Sequence, residues 1–313
     1  MSLFYRYPLK VLNNRRLKPC GKREAQNSDD SQVVETAAAI ARLKEARTGM
    51  IYGKLGTTEL LAMEFSERFL QPSWPSGLSW KRQAERLYLD SGVFPPSREQ
   101  FYRFLDTYRK SVGALDGICL WQDSEFLKTY EKELARSLCP RAIRLSSQVL
   151  SPFSFLPEIS DLQWLVISPF TKTMKSQEDR LEKIHSFYPW HPKLHHLAKA
   201  PFYLRCPFFS YLEKTSYPDW QAGLEHLTEQ ALRFDFDVAL VGAGAWSLPL
   251  LANLKNAGKK GIHTGGATQL IFGIKGRRWD QEGWHMPYNQ FWVRPLPDDT
   301  PKGHMRKEDG CYW

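Results

Sequence analysis

Apolar residues recur at helical spacing from Val33 through Val34, Ala37, Ala38, Ile40 and Ala41 to Leu43, and Gly49 stops the pattern. Side chains at that spacing share one face, so a helix is expected there. Met50-Ile51-Tyr52-Gly53-Lys54 reads as a short strand, and the apolar-periodic stretch 60–70 as a helix beginning at Thr57 or Thr58, whose hydroxyls suit a cap. That is a strand, glycine turn, helix unit. A Pro-bearing loop at 71–77 precedes helices over 79–90 and 98–112, which Pro95-Pro96 separates. A strand over 114–121, a helix over Glu125–Leu138 and a buried strand over 163–168 follow. Residues 186–218 are rich in Pro, His and aromatics with poor periodicity, and read as an irregular connection or site rim, where any domain boundary would fall. Beyond it come a helix over 220–233, a strand over 236–241, a helix over 248–257 and a strand over 260–263. Strands alternating with helices predict an α/β fold, a Rossmann-like and mostly parallel sheet with flanking helices and helical insertions.

Composition narrows the class. Hydrophobic residues make up 42% of the 313 residues and charged residues 25%, a balance that argues against wholesale disorder and against a membrane bundle. No apolar run approaches the roughly 18 residues that cross a bilayer, and the basic N-terminus is not followed by the apolar core and cleavage site of an export signal. The five Cys are scattered without a CxxC pair, which suits reduced thiols and a cytoplasmic location. The net charge of +9 would ordinarily raise nucleic acid as a partner. Seven of those charges, Arg6, Lys10, Arg15, Arg16, Lys18, Lys22 and Arg23, precede the first acid, and subtracting them from +9 leaves +2. The basicity is therefore an arm, residues 1–30, ahead of one domain over 31–313, and no nucleic acid is expected. With Leu3-Phe4-Tyr5 as an apolar anchor, residues 1–23 suit peripheral contact with an anionic membrane, the alternative being a solvated arm.

The sharpest local chemistry is Asp237-Val-Ala-Leu-Val-Gly-Ala-Gly-Ala-Trp-Ser-Leu-Pro-Leu250, a hydrophobic strand, a Gly242-x-Gly244 turn and a helix with Ser247 as its expected N-cap. Backbone N–H groups at such a turn, over Gly242, Gly244, Ala245 and Trp246, can hold phosphate. The run after the next strand, Gly265, Gly266, Thr268 and Gln269, would emerge at the same carboxyl edge of a parallel sheet. The dinucleotide fingerprint is incomplete, with Ser247 at its third glycine and no acid after the following strand, which disfavours a nicotinamide cofactor. Lys275, Arg277 and Arg278 offer charge for diphosphate oxygens, Lys172 lies in a hydroxyl-rich run after a buried strand, and His263 at a strand end is a candidate general base near neutral pH. At the first glycine turn, Lys54, Gly56 and Thr57 precede Glu59, which meets the positive end of the helix dipole. His185, His191, His195 and His196 lack the spacing of a zinc site, and no nucleophile elbow or Walker lysine loop occurs.

The runs Gly53-Lys-Leu-Gly-Thr-Thr-Glu59, 236–245 and 258–279, with the ending Gly310-Cys-Tyr-Trp313, resemble bacterial polysaccharide-biosynthesis proteins with the D-type glycosyltransferase (GT-D) fold. The resemblance spans residues 49–313. It implies transfer of a hexose from a nucleotide-diphosphate sugar, such as a UDP-sugar, to a polysaccharide or glycan acceptor. It also implies an Asp-x-Glu signature, contacting metal and nucleotide, at the first glycine turn. Here Thr57 stands at the Asp position and Glu59 at the Glu. Either Glu59 acts with another acid such as Asp116 to support Mn or Mg, or Lys54, Lys172 and Arg277 neutralise the leaving diphosphate. A non-catalytic nucleotide- or glycan-binding component of a polysaccharide assembly system is the alternative, and a dinucleotide-dependent oxidoreductase the weaker third.

Overall fold

Short apolar segments buried on both faces are what a parallel sheet requires, because crossover helices cover both sides. The computed structural model, which describes residues 33–69, 80–146, 152–189, 191–194, 200–280 and 288–313, has seven strands among them, the inner ones buried on both faces and the two at the edges half-buried. In chain order they are β1 Met50–Gly53, β2 Gly117–Ile118, β3 Ile143–Arg144, β4 Trp164–Ser168, β5 Phe202–Arg205, β6 Val238–Val241 and β7 Lys260–His263. All pair in parallel, in the order β3-β2-β1-β7-β6-β4-β5. Tyr52 lies opposite both Gly117 and Ile262, and Leu240 opposite both Val166 and Ile262. The arm over 1–30 and the loop expected at 71–77 lie outside the described residues.

The helices are α1 Thr36–Glu45, α2 Thr57–Phe69, α3 Trp80–Arg86, α4 Arg98–Gly113, α5 Glu125–Leu138, α6 Pro152–Ile159, α7 Thr171–Gln177, α8 Leu181–Ile184, α9 Trp220–Ala231, α10 Ser247–Asn256 and α11 Thr268–Ile271. Side-chain caps start several of them: Ser97 accepts from the Gln100 N–H at 3.1 Å, Ser124 from Leu127 at 3.3 Å and Asp219 from Ala222 at 2.8 Å. Right-handed crossovers put helices of opposite travel on opposite faces. Accordingly α2, α4, α5, α9 and α10 pack Met63, Phe104, Leu134, Leu224 and Leu251 with Ile51, Ile118, Leu165, Ile167 and Val241. The other face joins Tyr52, Val166, Leu240 and Ile262 to Ile40, Leu156, Met174, Ile184 and Ile271 of α1, α6, α7, α8 and α11. The strand period of two thus divides the core into two layers.

Three expectations change. The strand over 114–121 contracts to β2, because the chain leaves helix α4 by a turn at Ala114 and departs from the sheet after Ile118. The irregular stretch 186–218 contains β5, an edge strand whose side chains are all half-buried and so show no alternation. The helix over 79–90 begins at Trp80 and passes into a π-helical turn, Leu87–Ser91, which Gly92 ends at φ 82°. Among the described residues no helix is long and apolar enough to cross a membrane.

Candidate functional site

After β6 the chain turns back towards β7, whereas after β4 it leads outwards to β5. Such divergence opens a crevice at the carboxyl ends of parallel strands, and a cavity of about 620 Å³ lies there. Both glycine turns line it. The Gly242 N–H still donates to Ile167 O at 2.9 Å, and the Ala243 N–H donates to Ser247 Oγ at 2.9 Å. Ser247 is therefore the first residue of α10 rather than its N-cap, and its hydroxyl satisfies the turn before the helix. Gly244 follows at φ 57°, in the left-handed region, and a Cβ there would lie 3.0 Å from Ser91 O. A Cβ at Gly242 would run into Thr268 Oγ1 and Gly265 O, so the two turns touch. The second turn is braced by the Thr264 and Thr268 hydroxyls, 2.5 Å apart, and by Thr268 Oγ1 donating to Gly265 O at 2.6 Å.

Beyond Ala243 and Thr264 the next bonded amides are Trp246 N–H, to Ala243 O at 3.2 Å, and Ala267 N–H, to Thr264 O at 3.2 Å. The preceding N–H groups of Gly244, Ala245, Gly265 and Gly266 have no protein acceptor among the described residues. Gly244, Gly265 and Gly266 line the cavity, while the Ala245 side chain is buried in the core. Successive unpaired amides at a concave turn attract anions.

Two cations flank the second turn. Lys54 Nζ sits 4.5 Å from the centre of the Trp121 ring, and Lys54 Cε lies 3.8 Å from where a Gly265 Cβ would stand. Burial lowers the Lys54 pKa below the ordinary lysine value. The Arg278 guanidinium lies 4.9 Å from the ring centre of Tyr312 and 5.1 Å from that of Trp279, with Nη1 3.2 Å from the place of a Gly266 Cβ. Neither has a carboxylate within ion-pair distance among the described residues. His263 bonds through Nδ1 to Lys54 O at 3.1 Å, so that nitrogen carries the proton. Burial, then the Lys54 ammonium, push its pKa down to about 3. The imidazole is neutral at pH 7, and the base working near neutral pH that was expected at this position is not what its surroundings make.

Acids also line the cavity: Glu59, Asp90 and Glu308. Glu59 is 7% exposed and its carboxylate lies over Gly56, where a Cβ would collide with it. Burial raises its pKa, against its own backbone N–H, the Ser91 hydroxyl and the Lys307 ammonium, which all favour the charged form. Lys307, itself 2% exposed, pairs with Glu308 at 2.6 Å and Asp90 at 3.4 Å. The Gly56 N–H donates to Tyr108 Oη at 3.2 Å, and Thr57 Oγ1 to Gln122 Oε1 at 3.2 Å. Mn or Mg held by protein needs several oxygen ligands. Among the described residues no group of three or more His, Cys, Asp or Glu side chains could hold a metal ion, and the charge acting on Glu59 from the C-terminal segment is an ammonium. The residues present do not fit a protein-held divalent cation.

Several expected site residues stand elsewhere. Asp116 precedes β2, at the amino edge of the sheet, where it accepts from the Ile51 N–H at 2.9 Å and pairs with Lys255 at 2.7 Å. Lys172 is exposed and paired with Asp298 at 2.7 Å. Arg277 is exposed and donates to Asp309 O at 2.8 Å, so of the three neighbouring cations Arg278 is the one that lines the cavity. Gln269 donates to Tyr312 O at 2.9 Å and, like Thr268, braces the wall without lining it. Trp246 does line the cavity, but its indole N–H is engaged by Trp220 O at 2.9 Å. Sequence reasoning missed Ser91, Tyr108, Trp121 and Glu308, which reach the cavity from distant segments. It also left unassigned the aromatic wall of Phe170, Phe208 and Trp313, whose rings lie 5.2 to 5.8 Å apart. The aromatic-rich run around Phe208 and the Cys-Tyr-Trp ending were the signals that could have found that wall.

The sheet and its carboxyl-edge cavity define a Rossmann-like α/β protein. Beyond that class no kinship is found: no family model, no curated protein and no solved structure matches the chain.

Proposed function

We propose that the protein is a glycosyltransferase with the D-type fold, which moves a sugar from a nucleotide-diphosphate donor to a glycan acceptor. The observation that carries this reading is the meeting of unpaired amides at Gly244, Gly265 and Gly266 with Lys54 and Arg278 in one cavity. That set suits the charge of a diphosphate, which grows as the leaving group departs. Trp121, Trp279 and Tyr312 beside it offer flat apolar faces for a base or a sugar ring. Glu59, in the same lining, is a buried carboxylate whose raised pKa makes it a better proton acceptor for an acceptor hydroxyl. The likeness of the glycine turns to polysaccharide-biosynthesis proteins supplies the reaction class.

The test is release of nucleoside diphosphate from a panel of nucleotide sugars in the presence of glycan acceptors. Glu59→Gln, which keeps the shape but cannot take the proton, is expected to lower kcat by about 100-fold or more while binding persists. Gly244→Val forces a branched residue to φ 57° against Ser91 O and is expected to abolish binding. Full activity in both variants would refute the assignment. Saturable binding without turnover on any acceptor would favour a non-catalytic nucleotide- or glycan-binding component instead.

A further inference from the structure

A diphosphate leaving group needs counter-charge, and the usual source is a divalent cation that carboxylates hold in place. This cavity supplies charge of another kind. Of the acids that line it among the described residues, Glu59, Asp90 and Glu308, Glu59 is the buried one, and it stands with a serine hydroxyl and under the influence of an ammonium. The two cations flanking the Gly265-Gly266 turn have no carboxylate within ion-pair distance among the described residues, the charges of Glu308 and Glu131 acting on Arg278 and Lys54 only from farther away. Each is fixed instead by aromatic faces, Lys54 over Trp121 and Arg278 between Tyr312 and Trp279. A half-buried cation without a salt bridge is incompletely compensated, so its natural complement is an anion that arrives with a ligand. Lys54 Cε lies 3.8 Å from where a Gly265 Cβ would stand and Arg278 Nη1 3.2 Å from where a Gly266 Cβ would stand, so both side chains reach the same turn.

We infer that Lys54 and Arg278 take the place of a metal ion in this site, so that nucleoside diphosphate is bound, and its charge stabilised during transfer, without a divalent cation. The inference rests on the glycosyltransferase reading above. In the step concerned, the bond between the anomeric carbon and the β-phosphate oxygen breaks, and its electron pair leaves with the diphosphate. The acceptor hydroxyl oxygen forms the new bond to that carbon, and its proton passes to the Glu59 carboxylate. Lys54 and Arg278 stay protonated throughout and hold the growing charge with the amides of Gly265 and Gly266. The lowered Lys54 pKa follows from burial and from the neighbouring Arg278 charge, and a bound anion would raise it again.

The experiment is calorimetric titration of the full chain with uridine, guanosine, adenosine and thymidine diphosphates, in excess EDTA and again in excess Mn²⁺. At least one diphosphate is expected to bind equally well in both. Lys54→Met, which keeps the apolar stem over Trp121, and Arg278→Met are each expected to weaken it about 10- to 100-fold, the loss of one charge-assisted contact. Lys54→Arg is expected to restore most of the affinity. The ligand-free Lys54→Met protein should melt no lower than the parent, because a half-buried charge without a salt bridge has been removed, so weakened binding cannot be put down to misfolding. Binding that requires Mn²⁺ and is lost in Glu59→Gln overturns the inference and leaves the glycosyltransferase reading standing. No diphosphate binding under either condition overturns both.

Discussion

Glu131 is fully buried in α5, where Oε2 accepts from the N–H groups of Trp121 at 3.1 Å and Gln122 at 3.3 Å. Burial outweighs these bonds and lifts its pKa to about 7. A carboxyl that is harder to ionise when folded stabilises the protein fully below its ordinary pKa of 4.5, and that contribution is lost as pH rises through about 7. Glu131→Gln keeps an oxygen for both amides and removes the ionisation. It is expected to unfold at higher denaturant than the parent at pH 8, by about 1 to 3 kcal/mol, and to flatten the dependence of stability on pH between 4.5 and 7. Urea titrations across that range decide the point, since an unchanged slope would mean the proton sits elsewhere. His263 pulls the other way. Its depressed pKa makes stability fall as pH drops from 6.5 towards 3. Neither effect was legible in the sequence, because burial and charge depend on neighbours that lie far along the chain, such as the Lys54 ammonium, which lowers the pKa of both groups.

At the scale of elements, Asp116 shows how a residue type alone misleads. An acid beside a predicted strand resembled a catalytic partner for Glu59, yet strand direction puts it at the amino edge, where it ties β1 through Ile51 and α10 through Lys255. Asp116→Asn is therefore expected to lower stability by about 1 kcal/mol, the worth of a half-exposed pair with one backbone bond, and to leave diphosphate affinity unchanged. A large loss of affinity with native stability would return Asp116 to the site. The helix Glu125–Leu138 and the strand Lys260–His263 were readable to the residue, since each carries its own cap, period or flanking glycine. Two-residue β3 and half-buried β5 carry no such pattern, because partner strands rather than local preference create them. The glycine turns were readable as turns. Which of Arg277 and Arg278 faces the cavity was not, since that depends on the 3-10 turn that carries them and on its bond to Cys311 O.

For the whole molecule, the alternation along the strands sets the two-layer core, and the order β7-β6-β4 sets the crevice, so the position of the site follows from topology before any side chain is chosen. The walls are drawn from segments near residues 56, 91, 121, 244, 265, 278 and 312, almost the full span of residues 32–313, which form one compact unit. Ligand binding is accordingly expected to slow hydrogen exchange at all of these segments together, because a ligand stabilises only the assembled state. Protection confined to a single segment would argue that the ligand sits outside the cavity. The buried Lys307, bridging Asp90 of the π turn and Glu308 near the chain end, carries the sequel. A protease cut or truncation that removed this lysine would take one of the two counter-charges that Asp90 has among the described residues and leave it only Arg86 at 3.5 Å, so loss of a short terminal piece should be felt as damage at the acidic lining of the cavity, some 200 residues away in sequence.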